Sequence, residues 1–214
     1  MKIHLEPHGQ PGVLLAICGF DGSGKSTLEA ALLAAITRTR PCVSTWAPTQ
    51  WWRHDINIRR ALYGEGPGQP VPEEALLHFN LADCHAYQAN AVMPPLGRGE
   101  FVVSNRYLFD MLALFEARGM TLPTWLPDAV ARIVRPDFCF VLDGSSEVFV
   151  DRIVKRDGPM PGRFDQDVQF VARYNAALRR LAQENDLTVL RAEADPDHIV
   201  QQCLDVMRAS GKIG

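Results

Sequence analysis

Residues 13 to 27 read VLLAICGFDGSGKST, an apolar run that breaks into a glycine-rich loop ending in Lys-Ser-Thr. No other stretch narrows the fold as far. A continuous apolar run without polar alternation must be covered on both faces, as in a parallel sheet. Gly19, Gly24, Lys25 and Ser26 satisfy G-x-x-x-x-G-K-[ST]. The glycines let the backbone curl until several N–H groups face one anion, and the following helix adds its positive end. In that spacing Lys reaches the outer phosphates and the Ser hydroxyl ligates Mg²⁺. A dinucleotide-binding reading of Gly22-Ser23-Gly24 fails, because Thr27 stands where a third glycine is needed.

The remaining chain alternates in the same way. Val13–Cys18, Pro41–Thr45, Phe101–Ser104, Phe138–Leu142 and Leu187–Leu190 read as strands. Helices are expected over 24–37, 72–92, 107–118, 146–155, 165–185 and 197–209. Buried strands separated by helices make an α/β fold with helices on both faces of a five-stranded parallel sheet. The Pro- and Gly-rich stretches GEGPGQPVP and DGPMPG lie between helical patterns and read as loops. The 214 residues are expected to form a single domain, 1–214.

Composition removes some classes. A formal net charge of −3 does not mark a general nucleic-acid or membrane-surface binder. The five cysteines form no CxxC pair, so they read as reduced core thiols and not as a zinc site. No leader or membrane-spanning pattern is read from the sequence, and the expected location is cytoplasmic.

With these motifs in order, the chain resembles the thymidylate kinases, within the nucleoside monophosphate kinase group of P-loop proteins. GFDGSGKST resembles the family loop, with Asp21 at its acidic position. ADCHAYQ, RGEFVVSNRY, PDFCFVLDGSSEVFVDRIVKRDG and Arg163-Phe164-Asp165 resemble later landmarks in family order. The resemblance implies a P-loop NTPase fold with a mobile lid, here about 156–164, and a homodimer. It implies ATP and Mg²⁺ as cofactors, and transfer of the ATP γ-phosphate to a nucleoside monophosphate, best matched by dTMP giving dTDP. Partners are then small nucleotides, with no nucleic acid and no membrane.

The resemblance also assigns residues. Gly19, Gly22, Ser23, Gly24, Lys25, Ser26, Thr27 and Arg152 are expected to bind ATP, with Ser26 as the metal ligand. Lys25, Arg106, Arg156 and Arg163 are the expected catalytic cations, because phosphoryl transfer needs positive charge around the moving group. Asp21, Phe79, Asn105, Arg106 and Tyr107 are expected on the acceptor. Asp143 reads either as a further metal carboxylate or as a helix cap.

The acceptor side departs from the family pattern. Thr-Arg-Glu-Pro appears as Thr45-Trp46-Ala47-Pro48, Ala-Asp-Arg as Ala82-Asp83-Cys84, and Asp-Arg-Tyr as Asn105-Arg106-Tyr107. Phe115 stands where a base-reading Gln is expected, and an ungapped match puts Asn80, not Phe79, at the stacking position. Losing guanidiniums removes bidentate donors that other groups do not replace. Trp46, Trp51 and Trp52 bring aromatic surface near the mouth, and Arg53, Arg59, Arg60 or His85 are candidates to offset the lost charge. Three readings therefore stand: a dTMP kinase, a kinase of the same fold for another nucleotide, nucleoside or metabolite, and a nucleotide-binding protein without transfer.

Overall fold

The computed structural model describes residues 1–47, 55–63 and 71–213. Five parallel strands form the main sheet in the order β3-β4-β2-β6-β7. They are β2 (Val13–Gly19), β3 (Cys42–Trp46), β4 (Phe101–Asn105), β6 (Phe138–Asp143) and β7 (Thr188–Arg191). All five correspond to runs read from the sequence. The short strands β1 (Glu6–Pro7) and β5 (Val134–Arg135) pair parallel to each other in a second small sheet. Two-residue strands leave no periodic signal, so the sequence gives no warning of them.

β2 lies at the centre and is buried along its whole length. It pairs with β4 from Val13↔Phe101 to Ile17↔Asn105 and with β6 from Leu15↔Phe138 to Gly19↔Leu142. This explains why the VLLAIC run carries no polar residue. The outer strands β3 and β7 are only partly buried, matching their weaker apolar character.

The helices are α1 (Lys25–Ile36), α2 (Ile56–Tyr63), α3 (Glu73–Tyr87), α4 (Met93–Gly97), α5 (Leu108–Ala117), α6 (Leu126–Val130), α7 (Ser146–Asp157), α8 (Val168–Glu184) and α9 (Pro196–Ala209). α1 packs on β2, β3 and β4 and against α9, while α5 and α8 pack on each other and α8 covers β6 and β7. The core runs through both layers, with Leu15, Ile17, Phe101, Phe140 and Leu32 fully covered. Each such side chain contributes roughly 1.5–3 kcal/mol by leaving water.

Several boundaries shift from those expected. The helix read as 72–92 is α-helical only to Tyr87, then widens to a π-turn at Gln88–Val92 and continues as α4. Pro94 and Pro95 follow the π-turn directly, in the first turn of α4. The helix read as 165–185 starts at Val168, where the Asp167 side chain accepts from the Gln169 N–H, after a single 3₁₀ turn over Phe164–Gln166. The loop read over 64–72 lies outside the described residues up to position 70, as do Pro48, Trp51, Trp52 and Arg53.

Among the described residues no helix is long and apolar enough to cross a membrane. All five cysteines are free, as the sequence suggested. Cys18 and Cys139 face each other across β2 and β6 with their sulfurs 3.7 Å apart.

Candidate active site

The strands β2, β3, β4 and β6 all end at the same edge, and that edge opens into a cavity of about 1450 Å³. In open parallel sheets this carboxyl edge is where ligands bind. The wall includes Asp21 to Thr27 from the loop, Asn105, Arg106 and Tyr107 at the end of β4 and just beyond it, Arg152 and Arg156 on α7, and Arg163 after it. One space therefore holds nearly every residue singled out in the sequence.

The loop has the conformation its glycines predict. Gly22 and Gly24 have φ of 79° and 98°. A Cβ on Gly22 would come within 2.5 Å of the Phe149 carbonyl oxygen, so both backbone and space demand glycine there. α1 begins with Gly24 as its cap residue, and no side chain caps its first N–H groups. The Ser23 hydroxyl is buried and has no hydrogen-bond partner among the described residues. Uncapped donors at a helix start and an unpartnered buried hydroxyl fit a phosphate group.

Lys25 is buried, and its Nζ donates to the Phe20 carbonyl at 2.7 Å, with Asp21 Oδ1 at 3.7 Å. Burial, helped by the neighbouring Arg106 charge, pulls its pKa down to about 8. Arg106 forms an ion pair with Asp21, and that guanidinium is the main reason the Asp21 carboxyl falls to about 2. The Arg106 backbone has φ 74°, a left-handed conformation rare outside glycine. Its N–H still donates to the Ile17 carbonyl at 2.9 Å, so the chain turns sharply without breaking the ladder. Strain of this kind persists where surrounding contacts enforce it, commonly at sites of function.

Next to this turn lies Asp110, which no motif of the sequence singles out. This buried carboxylate accepts from the Gly19 N–H at 2.9 Å, the Tyr107 N–H at 3.0 Å and the Tyr174 hydroxyl at 2.9 Å, and lies 3.7 Å from Arg106. It joins the first glycine of the loop to the arginine after β4. The available signal is the spacing Tyr107-x-x-Asp110, in which a carboxylate in the first turn of α5 accepts from the N–H of the residue before the helix. Gly19 itself is not on the cavity wall, and its N–H donates to Asp110.

The arginines of α7 and the loop that follows it carry partners within the protein. Arg152 donates to the Gly22 carbonyl at 3.0 Å. Arg156 Nε donates to Asp157 at 2.6 Å, and Arg163 Nε donates to Asp165 at 2.8 Å. Between them, Gln166 accepts from the Met160 N–H at 2.7 Å and donates to the Gly158 carbonyl at 2.9 Å. Gly158 and Gly162, at the two ends of the loop, have φ of 79° and 87°.

Other expectations change. Phe79 packs against the core, and Asn80, one position on, lines the cavity. Phe115 is fully buried in the core, while Met111, one turn earlier, and Leu114, about 100° round α5, line the cavity. Asp143 neither lines the cavity nor caps α7: Arg179 holds it through contacts of 2.9 and 2.8 Å, and Ser145 is the cap. Tyr107 lines the cavity, but its hydroxyl donates to the Val134 carbonyl at 2.5 Å. Of the basic residues considered as substitutes, Arg59 on α2 is part of the wall, while Arg60 and His85 are not. Burial holds the Cys84 thiol up at about 12, so it faces the cavity as a neutral group. The segment Ala192–Asp197 beyond β7 also lines the cavity, as its place at the carboxyl edge would have indicated.

The sequence model named Thymidylate kinase matches residues 17–203. The chain belongs to the thymidylate kinase family. A protein named "Probable thymidylate kinase" from Thermococcus kodakarensis is 29% identical over 90% of this chain and 95% of its own length. Another of that name from Thermococcus gammatolerans is 32% identical over 80% of this chain and 84% of its own. The "Thymidylate kinase" of Xanthomonas euvesicatoria pv. vesicatoria is 30% identical over 98% of this chain and 88% of its own. The chain is thus a kinase, and phosphotransfer to a nucleoside monophosphate is the reaction class that the family supports. The family implies ATP as the phosphate source and a divalent metal. Among the described residues no group of three or more His, Cys, Asp and Glu is placed to hold a metal. The Ser26 hydroxyl fits one in the way a P-loop does, as a single protein oxygen with the phosphates and waters completing the shell.

Proposed function

We propose that this protein transfers the γ-phosphate of ATP to dTMP, giving dTDP, as a single kinase domain over 1–214 whose lid spans about 156–164. The observation that carries the reading is that one cavity is lined both by the phosphate loop and by Arg106. Its volume of about 1450 Å³ exceeds the range usual for one small ligand, which suits two nucleotides placed end to end.

Residue roles follow from chemistry. Gly22 to Thr27 and Arg152 cradle the ATP phosphates, and Ser26 would hold Mg²⁺, which when bound would supply positive charge to the phosphates. An oxygen of the acceptor phosphate attacks the γ-phosphorus, the bond to the β-bridging oxygen breaks, and ADP leaves. Lys25, Arg156 and Arg163 stabilise the charge on the transferring group, and Arg106 holds the acceptor phosphate. Asp21, Asn105 and Tyr107 border the acceptor sugar. Closure of the glycine-hinged lid over 158–162 would exclude water and limit ATP hydrolysis. A cytoplasmic homodimer completes the reading by family resemblance, and light scattering tests its mass.

A second reading rests on the acceptor wall. Trp46 and Cys84 stand where the family pattern has arginines, and Met111 and Leu114 add apolar surface to the same cavity. Under this reading the acceptor is a different small nucleotide or nucleoside. Release of ADP is measured with ATP and Mg²⁺ across a panel of nucleoside monophosphates and nucleosides. Preference for dTMP upholds the first reading. Faster turnover of another compound, with only trace dTMP activity, replaces it by the second.

A further inference from the structure

Beneath the turn that presents Arg106, hydroxyl groups from three elements touch in series. They belong to Thr45 on β3, Tyr87 at the last residue of α3 and Ser104 on β4. Thr45 Oγ1 meets the Tyr87 hydroxyl, the Tyr87 hydroxyl meets Ser104 Oγ at 2.6 Å, and Ser104 Oγ donates to the Arg106 carbonyl at 2.6 Å. Ser104 is fully buried and Tyr87 nearly so. All three lie off the cavity wall, so any part they play in the reaction passes through another residue.

Counting protons fixes the direction of this series. Each hydroxyl carries one proton, and a carbonyl only accepts. The Ser104 proton goes to Arg106, so Tyr87 must donate to Ser104. The Tyr87 proton is then used, so Thr45 must donate to Tyr87. The other acceptor near Thr45, the Val103 carbonyl, is 3.4 Å away, too long for a good bond between oxygens. Every proton therefore points towards one carbonyl, and hydrogen bonds in such a series polarise and strengthen one another. That carbonyl belongs to the residue with φ 74°. Its N–H is held by Ile17 on β2 and its C=O by Ser104. With both backbone groups held, the Arg106 side chain leaves the turn towards Asp21 and the cavity.

We propose that the Thr45–Tyr87–Ser104 hydroxyl series positions Arg106 to receive the acceptor phosphate. The three are positioning residues that act through the Arg106 backbone; none touches either nucleotide. The series also ties that arginine to β3 and α3, which carry Trp46 and Cys84 of the acceptor wall. The inference deepens the functional reading above and rests on Arg106 holding the acceptor phosphate.

The test measures binding of dTMP and of thymidine to the full chain saturated with ADP, by isothermal titration calorimetry. The two ligands differ only in the phosphate, so the ratio of their dissociation constants reports how well the phosphate is held. Ser104→Ala, Tyr87→Phe and Thr45→Val each remove one hydroxyl. A directed series gives graded losses. Ser104→Ala deletes the bond to the carbonyl and should weaken dTMP on the order of ten-fold, Tyr87→Phe about five-fold and Thr45→Val no more than about two-fold. Thymidine affinity should stay within about two-fold of the parent in all three. The Ser104→Ala, Tyr87→Phe double variant should be no weaker than Ser104→Ala alone, because both act through one carbonyl. Melting temperatures establish that each variant is folded, and should Ser104→Ala not fold, the Tyr87→Phe ratio decides alone. Equal loss of dTMP and thymidine affinity in Tyr87→Phe would overturn the inference, because the hydroxyls would then shape the wall and not the arginine. So would dTMP affinities within about two-fold of the parent in both Ser104→Ala and Tyr87→Phe. A parent chain that bound dTMP no tighter than thymidine would bring down the functional reading itself, and this inference with it.

Discussion

The phosphate-loop wall of the cavity comes from one run of chain, Asp21 to Thr27, while the opposite wall is gathered from α2, α3, α5 and the ends of β3 and β4. The first is bound up in short-range contacts: Lys25 to Phe20, Ser23 to Phe20, Leu28 to Gly24. The second is joined by contacts between elements far apart in sequence, and its members answer to the core as much as to the cavity. Tyr87 shows this on α3, where its hydroxyl meets Ser104 at 2.6 Å and so ties the helix to β4. A wall made from one segment keeps its residue types because the backbone path itself depends on them. A wall assembled from several helices can change residues one at a time while the sheet stays intact. That difference explains why the loop matches its motif fully while Trp46, Cys84 and Phe115 depart from pattern.

The comparison breaks most readily at Lys25. Lys25→Met is expected to lower kcat by at least 10²–10³-fold, the order seen when one preorganised donor to a charged transition state is removed. Steady-state turnover measures this, and retention of kcat would show that the loop wall is not where catalysis resides.

Asp110 is next, because it fastens the two walls together. Asp110→Ala should cost roughly 3–5 kcal/mol, since it leaves the Gly19 N–H, the Tyr107 N–H and the buried Tyr174 hydroxyl without their shared acceptor. Asp110→Asn should cost less, about 1–3 kcal/mol, because its shape survives and one acceptor remains. Urea unfolding reports both, and equal stability in all three proteins would dissolve the link.

Arg156→Ala should reduce kcat on the order of 10²-fold while leaving the fold unchanged, as its pairing with Asp157 is exposed. Full turnover in that variant would remove Arg156 from the mechanism.

A pH series sharpens the loop side further. With the Lys25 pKa at about 8, kcat/KM for ATP should fall as pH rises through that value, because the free enzyme loses the charge. The phosphates of bound ATP favour the charged form, so kcat should hold to higher pH. Stability runs the other way. The unfolded chain keeps this proton up to about 10.4. Between about 8 and that value the unfolded state binds more protons, and Lys25 makes folding more favourable as pH rises. Asp21, with its folded pKa lowered to about 2, contributes stability above the ordinary carboxylate range that is lost as pH falls through about 2. Rate profiles that ignore pH 8 would show that Lys25 is not the titrating group.

The smallest stability effect belongs to Trp46, which is half exposed at the end of β3. Trp46→Ala should change stability by only about 0.5 kcal/mol. Its acceptor KM should still move several-fold while the ATP KM stays fixed. Movement of the ATP KM instead would show that the two walls are not separable.

Sequence alone determined the three central strands β2, β4 and β6, because a strand covered on both faces must be largely apolar, and that leaves a mark in the chain. It determined the phosphate loop for a related reason: φ near +79° at Gly22 and the close approach to Phe149 admit no side chain. It gave less away where one helix serves two neighbours. Phe79 and Asn80 are adjacent in the chain, and about 100° of helical rotation sends one to the core and the other to the cavity. Phe115 and Leu114 divide in the same way. Asp110 and Glu29 looked like ordinary helical acids, since nothing in their local sequence shows that one meets Gly19 and Tyr174 and the other meets Asn105. Those meetings come from strand register and helix packing, which bring together residues as far apart as 91 positions and decide what each charge can do.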